Sequence, residues 1–250
     1  MRRGKSVIAA LLLSLIAVSA LFAQGTSIAG FAGLGMPMGP EFLKENWKNG
    51  LGFGGDVRFH LNERTAISVG YMHQTFKADL DKISEIVESS LDLDELDLSD
   101  YLDSDMNFDY SFSIEGLNVK ANIITANLIY YLTPPSSGTG LYLTGGAGYY
   151  MMGLSDAELK YDYSIDYLGI QYSDSGSESV DMSDSDENKM GINGGLGFEF
   201  LFGANMFLFV EGRYHYIFTD FDDVEETFGM ESGKASFISI MGGLRIPLGN

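Results

Sequence analysis

Cysteine is absent from the 250 residues. Disulfides and a lipid-modified N-terminal cysteine are therefore excluded, while export itself is left open. Basic residues are scarce: 15 Lys and Arg against 35 Asp and Glu give a formal net charge of −20, which argues against a nucleic-acid partner. After the N-terminal segment no run of 18 apolar residues occurs, so the mature chain has no helical membrane span. No Asp-x-Asp-x-Asp-Gly run with a closing Glu is present, which removes an EF-hand.

What the N-terminus does have is an address. Arg2, Arg3 and Lys5 precede an apolar run from Val7 to Phe22, and small residues follow at Ala20 and Ala23. This is the pattern of a secretory signal peptide, expected to span 1–23. Sixteen apolar residues are short for a spanning helix of roughly 20. Residues 24–250 then form one domain.

Eight segments alternate with period two and are rich in β-branched and aromatic residues: 26–35, 50–61, 65–77, 116–132, 140–152, 188–201, 205–218 and 236–248. At 10 to 14 residues most are near the length that crosses a bilayer at a tilt. The connections alternate in length. Those at 62–64, 133–139 and 202–204 are tight; those at 36–49, 78–115, 153–187 and 219–235 are long. Of the 35 acidic residues, 31 fall in the four long connections. In a meander, alternate connections share an end, so one end carries turns and the other carries acidic loops. Short periplasmic turns and long extracellular loops are the arrangement of outer-membrane barrels.

Parity decides which face meets which solvent. One face of 205–218 carries Met206, Leu208, Val210, Tyr214, Tyr216 and Phe218; the other carries Glu211, Arg213 and His215. Leu51, Phe53, Val57, Phe59 and Leu61 likewise oppose Asp56, Arg58 and His60. The charged faces are sparse and spaced by glycines such as Gly52, Gly54, Gly195, Gly197 and Gly243. A water-exposed strand face would carry Thr, Lys and Glu instead. A narrow lumen, by contrast, needs small residues beside long ones, because eight strands leave room only for side chains. Arginine pointed at lipid would cost roughly 2–4 kcal/mol near the bilayer centre. The expected fold is therefore all-β: an eight-stranded antiparallel up-and-down transmembrane β-barrel with long acidic extracellular loops. A soluble barrel with the faces reversed is the alternative. The alternation of segment 116–132 changes parity near Ile123-Ile124, which predicts a bulge. Phe76, Tyr130, Tyr131, Tyr149, Tyr150, Phe198, Phe200, Tyr216 and Phe218, near strand ends, are read as interface girdles.

The whole mature chain resembles the small outer-membrane barrel families: OmpA-like, OmpX-like and porin-family outer membrane protein β-barrel domains. Leu143-Thr144-Gly145-Gly146-Ala147-Gly148-Tyr149 and Gly242-Gly243-Leu244-Arg245-Ile246-Pro247-Leu248 carry the resemblance, together with the topology. It implies residence in the outer membrane. Many members end on an aromatic residue; this chain ends Leu248-Gly249-Asn250, so that assembly signal is not expected.

Asp56, Arg58, Glu199, Glu211, Arg213 and Arg245 are expected to form an ionic network in the lumen, because an unpaired buried charge costs several kcal/mol. The bland reading of this set is a structural plug; a porin-type solute or ion channel is the alternative. Asp92, Asp94, Asp103, Asp105, Asp184 and Asp186 supply oxygen ligands for weak divalent-cation binding in the loops, against a null of solvated charge. Residues 79–91 carry apolar groups at helical spacing. Phe108–Glu115 and Leu159–Tyr172 alternate with period two, which predicts a sheet protruding beyond the membrane with an edge open to a partner. No His-x-Ser pairing occurs, and no nucleophile, base and orienter assemble by sequence, so an enzyme is not expected and a lipid-acting barrel enzyme ranks last. No cofactor is expected. The expected partners are outer-membrane lipid and a surface partner on 78–115 and 153–187, the chain itself being a monomer.

Overall fold

The computed structural model describes residues 25–83, 106–167, 170–181, 187–203, 205–219 and 234–248. Eight strands close into an antiparallel barrel: β1 (Gly25–Gly39), β2 (Trp47–His60), β3 (Thr65–Ala78), β5 (Asn118–Thr133), β6 (Thr139–Leu154), β9 (Glu187–Phe202), β10 (Met206–Ile217) and β11 (Ser236–Leu248). Each pairs with its neighbour along the chain, and β1 closes on β11 from Thr26↔Leu248 to Gly39↔Ser236. Closure removes every strand edge from the bilayer, where an unpaired backbone group has no water to turn to. All eight coincide with the segments predicted from alternation to within a few residues at each end.

The three tight connections share one end. Arg64 N donates to Asn62 Oδ1 at 2.8 Å in the β2–β3 turn, a side chain standing in for backbone. Gly138 and Gly203 close the β5–β6 and β9–β10 turns at φ of 85° and 72°, a left-handed backbone that residues with a side chain rarely adopt.

At the other end the chain does more than loop. A short helix, α1 (Glu41–Asn46), joins β1 to β2. Strands β4 (Met106–Glu115), β7 (Ala157–Tyr167) and β8 (Ile170–Val180) form a separate sheet in the order β4-β7-β8. It continues the β5–β6 hairpin outward across a joint. Gly116, at φ 81°, breaks β4 from β5. Ser155 Oγ donates to Gly116 O at 2.6 Å and accepts from Asn118 N at 2.8 Å, which satisfies the backbone groups the break frees. This is the protruding sheet predicted from alternation in 108–115 and 159–172.

The faces fall as parity requires. Leu51 is 70% exposed on the outer wall, whereas Arg58, seven residues on and of opposite parity, is 1% exposed. Two expectations are corrected. β5 has no bulge at Ile123-Ile124: its register with both neighbours runs unbroken there. Ala121, Ile123, Thr125, Asn127, Ile129 and Tyr131 all face inward, and register shifts fall instead at Pro37/Gly39, Lys48/Leu51 and Tyr131/Thr133. Adjacent isoleucines are apolar on both faces, so alternation could not be read through them. Of the girdle aromatics, Phe76, Tyr131 and Tyr150 point inward and are buried, while Tyr130, Phe198, Phe200 and Phe218 are exposed on the outer wall.

Candidate functional site: the filled lumen

The lumen is packed in two layers. Toward the turn end lies the ionic layer. Arg245 Nη1 donates to Asp56 Oδ1 at 3.0 Å and its Nε to Glu199 Oε2 at 3.2 Å. Arg58 Nη1 reaches the same carboxylate at 3.4 Å and donates to the Tyr131 hydroxyl. Tyr131 in turn donates to Glu199 Oε1 at 3.1 Å. A second cluster adjoins it: Arg213 Nε donates to Glu211 Oε1 at 2.8 Å, and the Tyr142 hydroxyl to Glu211 Oε2 at 2.9 Å. The Arg58 guanidinium lies 4.7 Å from the centre of the Tyr142 ring and that of Arg245 5.0 Å from Phe209, both within cation–π range.

The structure thus brings all six sequence-predicted lumen residues together. Three carboxylates face three guanidiniums, so the layer is formally neutral, as burial demands. Sequence reasoning missed Tyr131 and Tyr142. Both sit on inward positions of β5 and β6, whose alternation was ambiguous. Glycines opposite make their room: a Cβ at Gly197 would lie 2.1 Å from Tyr142 Cζ, and one at Gly191 2.8 Å from Tyr150 Cε2.

Toward the loop end the lumen turns apolar. Trp47, Met72, Phe76, Ile123, Ile217, Phe237 and Met241 form one buried cluster, and Leu43 of α1 packs onto it. Phe76 and Phe237 meet edge to face at 5.4 Å. His215 links the two layers: it stacks on Phe237 at 4.3 Å and meets the Tyr150 hydroxyl at 3.0 Å and Ser239 Oγ at 3.2 Å. Between the layers a void of about 10 Å³, lined by Asp56, Ser68, Thr125, Asn127 and Arg213, has room for about one water. A void of about 50 Å³ lies within the apolar layer.

His60 and His215 face the lumen and His73 the outer wall, as parity predicted. His73 is not isolated, however: its Nδ1 lies 2.9 Å from Asn122 Oδ1 and its Nε2 3.1 Å from Thr75 Oγ1. Sequence reading did not assemble these groups, because Asn122 comes from another strand. The loop aspartates Asp92, Asp94, Asp103, Asp105, Asp184 and Asp186 lie outside the described residues, as do the signal segment and most of the 79–91 helix. Of that helix a first turn is described, closed by Ile83 N donating to Asp79 O at 3.0 Å.

Comparison with known proteins agrees with the geometry. The family model described as "Outer membrane protein beta-barrel domain" matches residues 8–245. No curated protein matches the sequence. Among solved structures, the N-terminal β-barrel domain of Pseudomonas aeruginosa OprF is 12% identical over 90% of this chain and 99% of its own, with a TM-score of 0.42. Neisserial surface protein A is 13% identical over 90% and 97%, with a TM-score of 0.43. Ail, the attachment invasion locus protein of Yersinia pestis, is 14% identical over 90% and 99%, with a TM-score of 0.38. The family model spans most of the chain, so the apolar wall faces lipid and the chain is an outer-membrane protein that belongs to the outer membrane protein beta-barrel domain family.

Proposed function

We propose that this chain is a closed, monomeric outer-membrane barrel whose lumen is a structural plug and whose task is surface interaction through the protruding sheet. The observation that carries the reading is the contrast between a filled lumen and an elaborated exterior. A conduit would reverse that contrast, with an open lumen and short loops.

One face of the sheet is rich in tyrosine. Register places Leu159, Tyr161 and Tyr163 of β7 on that face with Tyr172, Asp174 and Glu178 of β8, while Glu158, Lys160, Asp162 and Ser164 share the other with Ser173, Ser175, Ser177 and Ser179. Tyr161 and Tyr172 are 43% and 59% exposed, and Tyr163 packs on Tyr172 at 6.3 Å. Tyrosine gives large contact area at low entropic cost, which suits a recognition face. The three strands carry seven acidic residues and one lysine, so the partner that fits is a cationic polypeptide. Lys160 is itself engaged: its Nζ donates to Glu115 Oε2 at 2.7 Å, and that bond holds its ammonium above the usual range.

Two measurements test this. Purified protein in planar bilayers should show no steady conductance; a large stable pore would establish the channel reading instead. Replacing 157–180 by a short turn should abolish salt-sensitive binding of a basic, tyrosine-poor peptide while the barrel remains heat-modifiable on a gel. Undiminished binding by that variant would remove the sheet from the proposal.

A further inference from the structure

A polar constellation lies where the barrel wall should be greasy. On the outward face of β3, Tyr71, His73 and Thr75 follow one another at alternate positions, and register sets Asn122 of β5 directly opposite His73. Their other cross-strand neighbours are Ile124, Phe53 and Leu51. Polar groups facing hydrocarbon are costly unless they bond to one another, and these do so in a directed chain. The Tyr71 hydroxyl donates to Asn122 Oδ1 at 2.7 Å, which fixes that oxygen as an acceptor. His73 Nδ1, at hydrogen-bond distance from the same oxygen, must then carry the ring proton. Nε2 is left with a free lone pair, and its partner is the hydroxyl of Thr75. The Phe53 ring, 5.3 Å from the imidazole, covers one side of it.

Hydroxyl to Nε2, and Nδ1–H to a fixed carbonyl oxygen, is the proton order of a nucleophile, a base and an orienter. The surroundings specify a substrate. Lys120 stands directly opposite Thr75, and Lys77 lies one alternate position nearer the loop end, opposite Lys48. Lys48 is paired with Asp79 at 3.1 Å. Two residues of strand span about 6.8 Å, less along the membrane normal because strands tilt. Lysines therefore sit at headgroup depth and Thr75 just below, with Val57, Val69 and Ala126 continuing the same wall deeper still. A phospholipid has this order: phosphate, then ester, then acyl chains.

We propose that Thr75, His73 and Asn122 hydrolyse an acyl ester of an outer-leaflet phospholipid whose phosphate is held by Lys77 and Lys120. Thr75 Oγ bonds to the ester carbonyl carbon while Nε2 takes the hydroxyl proton. The bond from that carbon to the glycerol oxygen then breaks, and the alcohol leaves with the proton from Nε2. Water next adds to the acyl-threonine and gives a proton to Nε2; the carboxylic acid departs and the threonine hydroxyl is restored. One water is consumed per ester. Lys120 faces the carbonyl oxygen as its negative charge builds. Asn122 and Tyr71 are positioning residues that hold the imidazole in the required tautomer.

The site is independent of the protruding sheet, so the two readings stand or fall separately. The test is fatty-acid release from phosphatidylethanolamine and phosphatidylglycerol vesicles containing the full chain, with labelling by a fluorophosphonate probe located by mass spectrometry. Release is expected from the native chain, together with a label on Thr75. Thr75→Val and His73→Phe should each lower release by about 100-fold or more, and His73→Phe should also lose the label. Thr75→Ser should keep both. Lys120→Met should lower release by raising KM for phospholipid. These side chains face lipid, so every variant should stay heat-modifiable. A folded native chain that releases no fatty acid overturns the proposal, whether or not it takes the label, and so does release that survives Thr75→Val.

Discussion

The two ends of the lumen solve one problem by opposite means. At the turn end the space is filled by long charged side chains, Arg58, Arg245, Glu199 and Asp56, which form a neutral, mutually bonded set. At the loop end it is filled by Trp47, Phe76, Phe237 and Met241, which need no partners. The ionic end gains directionality and is intolerant of losing one member. The apolar end is tolerant of chemistry and sensitive to volume. Among the described residues Trp47 Nε1, in the apolar layer, has no hydrogen-bond partner, and neither do Arg58 Nε and Arg245 Nη2 in the ionic layer. The ionic layer is therefore close to satisfied without being complete.

The largest test of this contrast is Glu199→Ala. It takes from Arg58 its bonded carboxylate and from Arg245 one of two, and unfolding in urea from vesicles should show a loss of about 3–5 kcal/mol. A loss under 1 kcal/mol would mean water already solvates this layer. Phe237→Ala, in the apolar layer, should cost about 3 kcal/mol by the same measurement, near the low end for such truncations because the adjoining void lets neighbours relax. Its loss should not depend on salt. Neither variant alone should conduct, since the other layer still closes the lumen; conductance is expected only when both are combined. A steady current from Phe237→Ala alone would show that the ionic layer is no seal. Gly197→Ala, which pushes a methyl group into the Tyr142 ring, should cost about 1–3 kcal/mol and disturb the Tyr142 bond to Glu211. At the small end, Lys160→Ala removes an exposed pair with Glu115 on the sheet. No measurable change in heat-modifiability is expected, because exposed pairs contribute little; a clear loss would make that pair part of the sheet's framework.

The sequence exposed much of this, and it faltered in identifiable places. The six lumen ions were legible because each sits at the inward parity of a strand otherwise apolar or spaced by glycines. Tyr131 and Tyr142 were not, since an aromatic ring fits lumen, girdle and lipid wall equally well. Ile123-Ile124 misled for the same reason. His73 was placed on the correct face, but its meaning depends on Asn122, 49 residues away.

By itself the sequence determined what is local: eight strands, the face each residue takes, the tight and long ends, and the sign of the exterior. Period-two alternation is a property of one strand and needs no neighbour to be read. Only the tertiary structure decided which inward residues meet. Arg58 finds Glu199 across 141 residues and Arg245 finds Asp56 across 189. Such pairings depend on barrel closure and on the stagger between strands, which is set by the sum of all eight registers and by no single segment.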